Sequence, residues 1–452
     1  MKIVIIGCGT VGSGICSQIA PEGHDITVID DREQAVSDIS GTCDVIGVVG
    51  SGIDIAVLRK AGADKADLVI SVTPNDEVNL LSCLAARKLG ARNTIARVGN
   101  PDYAEMLQLV KQDLNLSMTV NPELAAAKKI YRMLRYPSVA KVETFYRGKV
   151  ELVEFAVTGE SPFCNKSLFD LRSSLKMNFL VCGVLRGGEM IIPSGRFVIE
   201  EGDIIGVTAP DDEIASFFKA AKMFKQPAKH VIIVGGGPVT YHLEGMLKQS
   251  KIHSTIIESE KSRCYALTDT YDSTVVCDDG TKQEVLLSEG IERTDAFLAL
   301  ADKDEQNVIM SMYARTKKVP KIITLINKLS YVDFFASGDL QSIVTPKSIT
   351  ATDILQYVRA LSDDAASEIE TLHKIMDNHA EAIEFSIKRD IDGVTDIPLK
   401  DLRPRSGILI ACLVRGRKVI IPSGLDAIHK GDTVLIITTS DKQLTNIKDI
   451  VK

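Results

Sequence analysis

The 452-residue chain has no tryptophan, and only 5% of its residues are aromatic. Its cores must be filled mainly by Val, Ile, Leu and Ala, within an ordinary apolar fraction of 45%. Long hydrophobic runs are also missing. The longest, such as Ile3–Ile6 and Val231–Val234, have strand length, far short of the ~20 apolar residues of a membrane-spanning helix. The N-terminus has one lysine, then a strand and a glycine turn, with no cleavage-site pattern, so no signal peptide is expected. Any membrane role is expected to be peripheral. Excess positive charge is absent as well. The formal net charge is −7, which argues against a grip on a nucleic-acid backbone as the main activity and suits a cytoplasmic protein.

The sequence holds no Cys-x-x-Cys pair and no Cys/His cluster with ligand spacing, so no metal is predicted. The nine cysteines, at 8, 16, 43, 83, 164, 182, 264, 277 and 412, are odd in number. With the cytosolic character of the chain, this favours free thiols, mostly buried. Cys8 lies inside a glycine turn and reads as a small residue tolerated there rather than a redox sensor. None of the seven histidines, at 24, 230, 242, 253, 373, 379 and 429, stands in a catalytic motif. An NAD-dependent oxidoreductase, the main enzymatic alternative, therefore lacks a recognisable acid or base. No catalytic residue is assigned.

The length implies two to four domains, and self-similarity divides the chain further. At a shift of 228 residues, Gly7 falls on Gly235, Gly9 on Gly237, Asp30 on Glu258, Gly52 on Gly280 and Asp67 on Asp295. "TPNDEVN" from Thr73 falls on "ADKDEQN" from Ala301. The later part repeats too: "MIIPSG" from Met190 resembles "VIIPSG" from Val419, each followed by a Gly-Asp turn and an apolar strand. The chain is a tandem duplication, roughly 1–224 and 229–452, with "KQPAKH" (225–230) as linker and Pro227 as breaker. The first part of each copy alternates short apolar strands (near 2–6, 26–30, 45–49, 67–72 and 94–98 in copy one) with amphipathic helices. That pattern means βαβ units and a parallel sheet. A helix from Pro122 to about Arg135 follows. The second part of each copy reads as a small α+β domain.

"IVIIGCGTVG" (Ile3 to Gly12) carries G-x-G-x-x-G between a strand and a helix. Such a turn offers backbone N–H groups at the positive end of a helix dipole, where a pyrophosphate fits. Its glycines serve the tight turn, the approach of phosphate and the packing of helix on strand. Asp30 ends the second strand at the spacing expected for a carboxylate that holds ribose hydroxyls, which disfavours NADP. Ser51, Gly52, Thr73 and Arg97 follow later strand ends, where open α/β sheets bind ligands. Arg97 is either a phosphate ligand or a surface salt bridge. Asp76 and Glu77 are expected to favour a helix start. In copy two, "VIIVGGGPVT" (Val231 to Thr240) keeps Gly235, Gly237 and Glu258. Thr240 replaces the third glycine and is expected to push the helix from the strand. Leu325 replaces Arg97. Asp278 and Asp279 add negative charge near the expected phosphate. The second crevice is thus less suited to a polyphosphate.

These motifs, with "GSG", "AGADKADLVISVTPNDEVN" and "IAR", resemble RCK (or KTN) domains. The tandem arrangement is similar to regulatory subunits of Trk potassium uptake systems. The resemblance implies a Rossmann-like N-lobe at 1–140 and again at 229–365, with small C-lobes at 141–224 and 370–452. It implies a homo-oligomeric ring, a tetramer or dimer of dimers, beneath a membrane-embedded TrkH/TrkG-like potassium transporter subunit. NAD(H), ATP or ADP would bias the ring's shape and so the gate; nothing in the sequence decides on cyclic di-AMP. Carried over, the first site comprises Gly7, Cys8, Gly9, Thr10, Val11, Gly12, Asp30, Ser51, Gly52, Thr73, Pro74 and Arg97. The second comprises Gly235, Gly236, Gly237, Pro238, Val239, Glu258, Asp278, Asp279 and Ala301. A nucleotide sensor for a different ion channel or exporter is a further alternative.

Overall fold

The computed structural model describes residues 1–100, 103, 116–135, 141–146, 149–175, 177–220, 228–328, 342–361, 369–376, 379–416, 418–439, 444 and 446–451. Linker positions 225–227, with Pro227, and the expected boundaries at 140, 224 and 365 lie outside the described residues. The chain forms two compact units, one of residues 1–134 and 228–358, the other of residues 135–227 and 359–452. Each unit takes one part from each copy of the repeat.

In the first unit, copy one runs β1 (Lys2–Ile6), α1 (Thr10–Ile19), β2 (Asp25–Asp30), α2 (Glu33–Thr42), β3 (Ile46–Val49), α3 (Ile55–Lys60), β4 (Leu68–Ser71), α4 (Asp76–Leu89), β5 (Asn93–Arg97), β6 (Met118–Val120) and α5 (Pro122–Arg135). The strands pair in parallel in the order β3-β2-β1-β4-β5-β6. This is the doubly wound dinucleotide-binding order, whose ligand crevice opens beyond β1 and β4, where the strand order reverses. The β1 and β4 burial patterns are almost continuous, as strands covered on both faces require. The sequence reading found five of these strands. The sixth, three residues long, is too short for periodicity to reveal.

The second unit has two antiparallel sheets. Copy one contributes β7 (Lys141–Phe145), β8 (Val150–Ala156), α6 (Leu168–Leu175), β9 (Leu180–Arg186), β10 (Glu189–Ile191), β11 (Ile204–Pro210) and α7 (Asp211–Ala220), its sheet ordered β10-β9-β11-β8-β7.

Copy two of the first unit repeats the design: β12 (His230–Val234), α8 (Pro238–Gln249), β13 (His253–Glu258), α9 (Lys261–Thr270), β14 (Thr274–Cys277), α10 (Gln283–Ser288), β15 (Ala296–Ala299), α11 (Asp304–Thr316), β16 (Lys321–Leu325), β17 (Ile343–Val344) and α12 (Pro346–Leu361). Its sheet order, β14-β13-β12-β15-β16-β17, is that of copy one. The apolar face of α5 does not pack only within its own copy. Ala126, Ala127, Ile130 and Leu134 share one core with Val231, Ile233, Val239, Leu243 and Leu247 of copy two. Its start is capped by Asn121, whose side-chain oxygen accepts the Leu124 N–H at 2.7 Å.

In the second unit, copy two contributes β18 (Ile369–Ile375), β19 (Ala380–Ser386), β20 (Ile408–Arg415), β21 (Lys418–Ile420) and β22 (Asp432–Thr439), ordered β18-β19-β22-β20-β21. The two sheets share a core that includes Phe145, Leu152 and Cys182 with Ile375, Ala382 and Cys412. Buried Glu154 accepts the Met376 N–H at 2.8 Å, and Glu384 accepts the Tyr146 N–H, a reciprocal pair. The Gly-Asp turns flagged in the sequence have a structural purpose. Asp203 and Asp432, 1% and 2% exposed, each accept a two-pronged guanidinium, from Arg186 at 2.7 Å and from Arg415 at 2.8–2.9 Å.

The free-thiol expectation needs one correction. Cys264 and Cys277 form a disulfide with Cα atoms 6.1 Å apart. They stand on α9 and on the neighbouring β14, which pack together, so two residues distant in the motif reading become adjacent. The other seven cysteines are free, five of them buried.

Candidate nucleotide crevices

The three glycines of the first turn meet three different demands. Gly7 has φ +104, and an added Cβ would stand 3.0 Å from the Thr73 nitrogen on the β4 side. A Cβ on Gly12 would stand 1.9 Å from the Gly7 carbonyl oxygen, so only glycine lets α1 approach β1 this closely. Gly9, the N-cap of α1, has nothing within 4 Å of its Cβ position. Space beside it is open where backbone donors of a ten-residue helix point. Thr10 starts α1, and Val11 is buried in it. The Cys8 thiol is pushed up to about 12 by burial and then by Asp30, so it carries no thiolate at neutral pH.

Asp30 stands at the end of β2 and is 8% exposed. Its Oδ2 accepts the Cys8 N–H at 2.7 Å and Arg32 Nη2 at 3.3 Å. Its Oδ1 accepts the Arg32 N–H and Nε, both at 3.0 Å. Burial alone would raise its pKa, but the Arg32 hydrogen bonds and the Cys8 N–H bring it below the usual carboxylate value. The acid thus lies against the glycine turn. Arg32, which the sequence reading passed over, lies upon it.

At the other wall, Thr73 follows β4 and is held by Asn79. That buried amide accepts Thr73 N–H at 2.8 Å and Oγ1 at 2.7 Å, and donates to the carbonyls of Thr73 and Arg97. Asn307 does the same for Ala301 and Leu325 in copy two. Its recurrence in "TPNDEVN" and "ADKDEQN" was the available signal. Asp76 and Glu77 are in the first turn of α4 as expected. Asp76 also accepts the N–H groups of Gly99 and Asn100 at 2.9 and 2.8 Å. Arg97 makes the salt-bridge contact, with Nη2 2.8 Å from Glu123 of α5 and Nη1 3.6 Å from Asp76. It nevertheless points to the Thr73 and Pro74 carbonyls, at the crevice edge. Ser51 and Pro74 are exposed; Gly52 is buried, and a Cβ there would meet Ile6 at 2.3 Å.

Copy two repeats this frame with changes. Gly235 has φ +108 and abuts the Leu300 carbonyl. Pro238 opens α8, with Gly237 as N-cap and Val239 buried. Thr240 departs from expectation. It is fully buried, and its Oγ1 donates to the Gly235 carbonyl at 2.6 Å. The side chain that would block the helix instead ties it to the turn. Glu258 accepts the Gly236 and Glu260 N–H groups at 2.5 and 2.7 Å. The expected negative charge at Asp278 is met by Lys282 at 2.8 Å, and Asp279 caps the Thr281 N–H. A cation not anticipated, Arg263 on α9, bonds Asp302 and Glu260 at 3.0 Å each and lies 4.0 Å from Glu258. Among the described residues no group of three or more His, Cys, Asp or Glu could hold a metal ion, and no helix is long and apolar enough to cross a membrane.

Comparison with known proteins matches both copies of this frame. The model of the TrkA-N domain matches residues 3–118 and 231–346, and that of the TrkA-C domain residues 152–222 and 393–447. The Trk system potassium uptake protein TrkA homolog of Archaeoglobus fulgidus is 30% identical over all of both chains. The Trk system potassium uptake protein TrkA of Halomonas elongata is 30% identical over 99% of this chain and 98% of that one. Among solved structures, the GsuK channel bound to NAD superposes with a TM-score of 0.62 at 18% identity, over 97% of this chain and 77% of that one. The GsuK RCK domain gives the same score and identity over 97% and 92%. At that identity the likeness speaks for the fold.

Proposed function

Given that the chain belongs to the TrkA family, with its two kinds of domain each present twice, we propose that it is the cytoplasmic, peripheral regulatory subunit of a membrane potassium uptake transporter. In this reading, adenine nucleotide at the first crevice biases ion flux. The relatives carry the potassium uptake name. The open helix N-terminus at Gly9, on a turn whose Cys8 N–H is held by buried Asp30 at the end of β2, carries the nucleotide reading. The pyrophosphate would take the N–H donors of the α1 start, the ribose diol Asp30, and the outer phosphate Arg97. NAD(H), ATP and ADP all fit this division. The second crevice, with Leu325 in place of Arg97, would bind more weakly. Leu81 on α4 and its counterpart Ile309 on α11 are 53% and 67% exposed, which supports assembly into a homo-oligomer beneath a TrkH/TrkG-like partner.

A nucleotide shifts such an assembly only by the difference in its affinity for two shapes. Gly9→Asp tests the site cleanly. Its backbone φ is −75 and its Cβ position is open, so the fold should tolerate the change while a carboxylate enters the phosphate path. Calorimetric titration with ADP and NADH should lose the tight site, with melting temperature unchanged. Retention of nucleotide-dependent transport in this variant would overturn the assignment.

A further inference from the structure

We propose that Arg32 sets the nucleotide selectivity of the first crevice by occupying the ribose-binding face of Asp30 until a free 2′,3′-diol displaces it. This rests on the nucleotide reading above. A carboxylate oxygen accepts about two hydrogen bonds, and both oxygens of Asp30 have two. Cys8 N–H and Arg32 Nη2 fill Oδ2; Arg32 N–H and Nε fill Oδ1. One donor on each oxygen is backbone and fixed. The other on each belongs to the Arg32 side chain, which is 66% exposed. Withdrawal of that single side chain vacates one acceptor position per oxygen, side by side. Two neighbouring ribose hydroxyls require such a pair of positions. A ligand lacking them would leave a largely desolvated carboxylate with unmet capacity, so Arg32 stays in place and the subsite stays closed to it.

Copy two covers its acid by another route. Position 32 corresponds to Glu260, whose N–H caps Glu258 as that of Arg32 caps Asp30. The guanidinium comes instead from Arg263, one helical turn on, and approaches Glu258 to 4.0 Å. The cover recurs at a different sequence position, so it is not a simple carry-over of the duplicated residue. Arg263 is also tied to Asp302 and Glu260, so it is harder to displace.

The test is titration of the full chain, wild type and Arg32→Ala, with ADP and with 2′,3′-dideoxy-ADP. The Arg32 side of the pair is 66% exposed, and such pairs contribute about 0.2–1 kcal/mol, so Arg32→Ala should tighten ADP binding roughly 1.4- to fivefold and leave the dideoxy compound unchanged. Unchanged or weaker ADP binding, or equal tightening of both ligands, would overturn the proposal. If wild type binds no adenine nucleotide that Gly9→Asp abolishes, the nucleotide reading itself fails, and this inference with it.

Discussion

Gly12 and Thr240 occupy corresponding positions and show how one side chain resets a turn. In copy one the helix approaches so closely that any Cβ would overlap the Gly7 carbonyl. In copy two the threonine hydroxyl has become part of the turn by bonding the matching carbonyl. Gly12→Ala should therefore destabilise by about 2–3 kcal/mol through overpacking. Thr240→Ala should cost about 1 kcal/mol through a lost hydrogen bond. Denaturant unfolding of the two variants checks the ranking, and a Gly12→Ala cost no larger than that of Thr240→Ala would contradict it. At this scale the sequence was informative about backbone demands. Gly7, Gly9, Gly12 and Asp30 were legible because a tight turn from strand to helix restricts residue type at fixed spacing. Arg32 and Arg263 were not, because a long side chain reaches its partner from any of several positions.

At the scale of elements, five strands of the first sheet and α5 were legible from the sequence pattern, but the partner of α5 was not. Its spacing of Ala126, Ile130 and Leu134 defines a buried face without saying which copy buries it. Lys321, on β16, marks the same junction. It is 6% exposed, and its ammonium donates to the Met133 carbonyl in the last turn of α5, where a cation suits the helix dipole. Burial pushes its pKa down to about 8, against ~10.4 in an unfolded chain. Between these values the unfolded state binds more protons, so stability should rise as pH increases from about 8 to about 10.5. Urea unfolding at pH 8 and pH 10 should show a smaller rise in Lys321→Met than in wild type. An identical pH dependence would remove Lys321 as its source.

Over the whole molecule, the duplication was visible as coincidences at one shift, because each copy had to keep the same turns. The grouping of the copies into compact units was not visible. Residues of 1–134 share a core with residues of 228–358, and the small sheets of 135–227 share one with those of 359–452. Within the second unit, the reciprocal Glu154 and Glu384 contacts join the two copies, which linear repeats do not announce.

The shared place of α5 has a consequence for the covalent continuity of the chain. Residues 1–224 carry a helix whose apolar face finds its cover in residues 229–452, and both compact units draw on both halves. A break in the chain between the halves should then leave the fold able to assemble, as two chains assemble in a homodimer. Made as two separate polypeptides in one cell, 1–224 and 228–452 should co-purify in equal amounts and melt together in a single transition. Each made alone should expose its unmatched faces and aggregate. A soluble, monomeric 1–224 with the thermal stability of the whole chain would show that α5 finds its cover at home.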